Sequence, residues 1–66
     1  MNRVKQLRRD RRMTQEGLSK ASGVSRITIA RIEKTGKLAT LRVARAIAKA
    51  LGCNVEDLLD NEQEAS

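Results

Sequence analysis

Apolar residues recur every three or four positions along most of the chain, with polar and charged residues between them. That is the period of an amphipathic helix rather than of a strand. Five helical segments are predicted. In the first, residues 2–12, Val4 and Leu7 share one face with Arg8 and Arg11 beside it. Arg3, Lys5, Arg9 and Arg12 point to water, Asn2 is positioned to cap the start, and Met13 fills the following turn. The second, residues 15–22, has Thr14 as N-cap, Glu16 in its first turn, Leu18 and Ala21 inward, and Gly23 at its stop. The third, residues 26–34, is capped by Ser25; Ile29 and Ile32 face inward and Val24 packs from the turn. The fourth lies between Thr40 and Gly52 and has the strongest period, through Leu41, Ala44, Ile47, Ala48 and Leu51. Arg42, Arg45 and Lys49 lie opposite. The fifth, residues 55–59, starts after Asn54 and carries a short stripe of Val55, Leu58 and Leu59.

One side chain does not fit this scheme. Ile27 lies two residues before Ile29, roughly 200° around the helix, on a face the core does not use.

A length of 66 residues makes a single domain with a modest core. The chain has no Pro and no aromatic residue, which favours helices over sheets. Its formal charge is +6, but unevenly spread. Residues 1–49 hold all fourteen bases and three acids, a balance of +11; residues 50–66 hold no base and five acids, a balance of −5. A basic body of this kind suits a polyanionic partner. The domain is expected over residues 1–60, with residues 61–66 an acidic, disordered tail.

Other classes are excluded by what is missing. Without His, and with Cys53 as the single cysteine, there is no metal-ligand set, no internal disulfide and no imidazole base. No Gly-rich phosphate loop or nucleophile–base pair is present, so neither an enzyme nor a cofactor is expected. No apolar run reaches membrane-spanning length, and Met1 leads straight into charged residues, so a reducing cytoplasm is expected. A membrane-binding amphipathic peptide fits poorly, because the apolar faces are used in packing and no aromatic anchor exists.

The twenty residues 15–34 have the grammar of a helix-turn-helix. Leu18, Val24, Ile29 and Ile32 are apolar where the two helices pack, Ser19 is small where they cross, and Gly23 stands ninth, in the turn. The wider pattern includes Leu7-Arg8-x-x-Arg11, Met13-Thr14-Gln15-Glu16-x-Leu18-Ser19, Gly23-Val24-Ser25 and Ile29-x-x-Ile32-Glu33 with Gly36. It continues through Ile47-Ala48-x-Ala50-Leu51-Gly52 and Val55-x-x-Leu58-Leu59. With these residues the sequence resembles the Cro/C1 (xenobiotic response element type) helix-turn-helix repressors, over about residues 3–59. The resemblance implies an all-α, compact, five-helix, lambda-repressor-like DNA-binding domain.

It also implies roles. The third helix would enter the major groove, with Arg26, Ile27, Thr28 and Arg31 reading base edges of double-stranded DNA. Thr14, Gln15, Ser25, Lys34, Lys37 and Arg42 would meet phosphates, and Gln15 would brace Arg26. Arg8 and Glu33 would form a structural ion pair. Three departures from the family pattern stand out: Gly17 replaces a better helix former, the loop around residues 34–37 is longer than in some relatives, and the usual Pro and aromatic residues before the fourth helix are missing.

A single recognition helix reads few base pairs, so a homodimer on a pseudo-palindromic operator is expected, with Val55, Leu58 and Leu59 at its interface. A repressor is the simplest reading. The alternatives are the antitoxin of a toxin–antitoxin pair, or a restriction–modification controller that also activates; a toxin or RNA polymerase would then be the protein partner.

Overall fold

The chain enters its first helix through Asn2, whose Oδ1 accepts from the Val4 amide at 3.0 Å. The computed structural model describes residues 2–38 and 40–59; the expected acidic tail at residues 61–66 lies outside them. Four α-helices follow one another: α1 (Val4–Asp10), α2 (Gln15–Ser22), α3 (Arg26–Thr35) and α4 (Leu41–Leu51). The fold is all-α, and the sole sheet-like feature among the described residues is an isolated antiparallel bridge between Asn2 and Leu59.

The caps follow from the sequence. Thr14, Ser25 and Thr40 each accept, through the side-chain hydroxyl, the amide of the residue three further on. Their backbones are extended, as an N-cap requires. Gly23 ends α2 with φ 77°, so the turn into α3 is made where a Cβ would be unfavourable. Gly17 is different. A Cβ there would sit 3.2 Å from Thr14 Oγ1, against the hydroxyl that caps α2. The absent side chain leaves the cap undisturbed.

Val4, Leu7, Leu18, Ile29, Ile32, Ala44, Ile47, Ala48, Leu51 and Leu58 form one core, and Met13, Val24, Val55 and Cys53 pack around it. α2 packs on both α3 and α4, while α1 lies across α3 and α4. Burial raises the Cys53 thiol pKa, Asp57 adds to the rise and Arg11 opposes it, so this cysteine stays protonated at neutral pH.

The structure corrects four expectations. The fifth helix is a single 3-10 turn, Val55–Leu58. It starts with a capping box between Asn54 and Asp57, but Leu59 then turns to extended backbone and pairs with Asn2. Leu58 is not a surface residue offered to a second copy: its side chain is fully buried, and its carbonyl accepts from the Arg3 amide at 2.7 Å. Leu41, expected in the core, is 58% exposed in the first turn of α4, and Ala21 is exposed on α2.

Candidate nucleic-acid interface

α3 has two faces with different chemistry. Ile29 and Ile32 are buried, whereas Arg26, Ile27 and Arg31 are exposed and Thr28 is half-buried. Ile27 is 71% exposed, the most exposed large apolar side chain among the described residues. The outward face therefore carries an apolar side chain between cationic ones, at the N-terminal half of the helix. Ser25 fixes its start. Its Oγ accepts from the Thr28 amide at 3.1 Å and donates to Thr28 Oγ1 at 2.8 Å.

A groove of about 400 Å³ runs beside α3, lined by Thr28, Arg31, Ile32, Thr35 and Lys37. Thr35 shapes its far end: its hydroxyl donates to the Arg31 carbonyl at 2.9 Å and accepts from the Lys37 amide at 3.2 Å. The loop cation Lys37 is thus brought next to Arg31 and Thr28. Lys34, in the last turn of α3, and Arg42, in the first turn of α4, are exposed but do not line this groove.

At the start of α2, Thr14 is exposed and occupied in capping Gly17, while Gln15 is half-buried. The expected Gln15–Arg26 brace is not what the structure contains. Gln15 Nε2 donates instead to Glu33 Oε1 at 3.2 Å. Glu33 is held from the other side by Arg8, through Nε to Oε2 at 2.8 Å and Nη2 to Oε1 at 3.1 Å. The two side chains are only 12% and 5% exposed. The remaining guanidinium nitrogen of Arg8, Nη1, donates to the Met13 carbonyl at 2.6 Å. All three nitrogens of Arg8 are therefore engaged inside the protein. Burial alone would raise the Glu33 pKa. Hydrogen bonds from Arg8 and Gln15 and the charges of Arg8 and Lys5 outweigh it, and hold the carboxyl below its ordinary value.

Two structural contacts carry no sequence signal. Arg11, placed by the sequence beside the apolar face of the first helix, donates through Nε to the Leu51 carbonyl at 2.5 Å and through Nη1 to the Leu7 carbonyl at 3.1 Å. Asn2 donates through Nδ2 to the Ile32 carbonyl at 3.2 Å, tying the chain start to α3. The Arg11–Leu51 and Asn2–Ile32 contacts depend on segments distant in sequence coming together. Among the described residues no group of acidic or cysteine side chains is arranged to hold a metal ion, and no helix is long and apolar enough to cross a membrane.

A model of the helix-turn-helix family matches residues 4–58. The chain is 41% identical over 63 residues to an uncharacterized HTH-type transcriptional regulator of Methanocaldococcus jannaschii, covering 96% of each chain. It is 40% identical over 63 residues to the HTH-type transcriptional regulator YgzD of Bacillus subtilis, again covering 96% of each. A regulator of the same type from Archaeoglobus fulgidus is 37% identical over 62 residues, which is 94% of this chain and 87% of the relative.

Proposed function

The chain belongs to the Cro/C1-type helix-turn-helix family, a family of DNA-binding regulators and not of enzymes, and from that premise we propose that it is a sequence-specific transcription regulator. It binds double-stranded DNA as a homodimer on a pseudo-palindromic operator and acts as a repressor by occluding RNA polymerase. The observation that carries the reading is the outward face of α3, where Ile27 stands exposed between Arg26 and Arg31 while the opposite face is buried. An Arg there can hold guanine O6 and N7 bidentately, and an Ile methyl can pack on a thymine methyl. Thr28 adds a hydroxyl at the groove edge.

Thr14, Gln15, Ser25, Lys34, Lys37 and Arg42 take the phosphate role, which fixes register without reading sequence. Leu59, with Val55 beside it, supplies the contact with a second copy; Leu58 holds the core of each subunit and takes no direct part.

Selection from a random duplex library tests the proposal. A palindromic winner with half-sites about 10 bp apart is the expected result. Binding should also weaken steeply as salt rises, as several phosphate contacts require. No enriched site, with only weak salt-sensitive binding, would overturn the reading.

A further inference from the structure

We propose that Glu33, a residue of the α3 interior face, is a positioning residue for DNA binding: its carboxylate sets which end of the Gln15 amide faces the phosphate backbone. The inference rests on the proposed phosphate role of Gln15. The carboxylate of Glu33 is an acceptor only, so a side-chain amide next to it must turn its nitrogen inward. That is the arrangement observed, with Gln15 Nε2 donating to Glu33 Oε1 at 3.2 Å. An amide nitrogen carries two N–H groups. One is taken by Glu33 and the second is left for a phosphate oxygen at the start of α2. The reversed amide would lose the bond to Glu33 and set its carbonyl oxygen against the carboxylate.

The carboxylate is itself fixed. Arg8 holds both of its oxygens, at 2.8 Å and 3.1 Å, and is anchored in turn on the Met13 carbonyl. Met13 lies directly before Thr14 and Gln15, so one guanidinium braces both the carboxylate and the backbone that leads into α2. The ion pair thus does more than join α1 to α3: it presents a fixed acceptor to a residue at the DNA-facing start of α2.

The test uses the library-selected duplex carrying a single neutral methylphosphonate, moved one backbone position at a time. The proteins are the wild type, Gln15→Ala, Glu33→Leu, Arg8→Lys, and the double variant Arg8→Met/Glu33→Leu, which removes the acceptor and leaves no unpaired charge if the single Glu33 variant fails to fold. At one position the neutral phosphate should weaken wild-type binding roughly tenfold, the scale of a hydrogen bond to a charged group. Gln15→Ala should lose that sensitivity. So should the Glu33 variants, whereas Arg8→Lys should keep it because the carboxylate remains. A Glu33 variant with the full tenfold sensitivity overturns the proposal. So does a Gln15→Ala map identical to that of the wild type, although the wider reading of α3 would survive that result. A second measurement needs no DNA. In the free wild-type protein the Gln15 side-chain amide resonances should follow the protonation of Glu33, which faces Arg8, Lys5 and Gln15, while the backbone pattern stays constant. Resonances that do not move overturn the proposal even if the chain binds no duplex selectively.

Discussion

Arg11 closes the end of a helix it does not belong to: its Nε donates to the Leu51 carbonyl, the last residue of α4, at 2.5 Å. The end of a helix exposes carbonyls with no intrahelical partner and a partial negative charge, so a guanidinium is suited to both needs. Arg11→Ala should therefore destabilise the fold by about 1 kcal/mol without altering affinity for DNA beyond that loss. Chemical denaturation of the two proteins, set beside their binding of one duplex, checks both halves of the statement.

The Arg8–Glu33 pair should behave asymmetrically. Removing Arg8 alone leaves a carboxylate in a site only 5% exposed, and should cost about 3 kcal/mol. Replacing both residues with apolar ones of similar size should cost much less, because no charge is left behind. A double-mutant cycle measured by urea unfolding gives the comparison directly. A loss in the double variant equal to the sum of the two single losses would show that the pair is not coupled.

Stability should fall at acid pH through Glu33. Its folded pKa lies below its ordinary value, so the unfolded chain takes up the proton first as pH falls. The contribution is complete above the usual glutamate range, about pH 4.3, and drains away as pH drops through the lower folded value. The denaturation midpoint of the wild type should drop faster below about pH 4 than that of Glu33→Gln.

Leu58 and Leu59 should respond in opposite ways although they are adjacent. Leu58→Ala opens a cavity under the 3-10 turn and should cost about 2–5 kcal/mol of chain stability. Leu59→Asp changes a residue 39% exposed, and should leave the fold intact while weakening self-association. Sedimentation of the Leu59 variant over a range of concentrations decides whether this edge meets a second copy.

These contrasts show which features are local in the sequence. The helices of the central motif were legible because Thr14, Gly23 and Ser25 mark their ends with residues whose chemistry fits one conformation. The inward face of α3 was legible from the spacing of Ile29 and Ile32, and the outward place of Ile27 followed from the same geometry. The end of the chain was less so. Asn54, Glu56 and Asp57 correctly signal the start of a helical turn, but its early stop is set by the pairing of Leu59 with Asn2 across the whole sequence. Leu41 fits the period of α4 and is still exposed, since a periodic stripe does not reveal where the core it faces comes to an end. The partner of Gln15 was hidden for a related reason. Its amide finds Glu33 because α2 and α3 pack against each other, and no spacing within either helix encodes that meeting.

The central claim is that the outward face of α3 reads base edges. It is tested most directly by measuring Arg26→Ala, Ile27→Ala, Thr28→Ala and Arg31→Ala against the selected duplex and every single-base variant of it, with unfolding measured alongside. The exposed changes at residues 26, 27 and 31 should alter stability by less than about 0.5 kcal/mol. Each base-reading side chain should lose about 1–3 kcal/mol of discrimination at its own base position, leaving other positions unchanged. Full discrimination in all four variants, at every position, would contradict the claim.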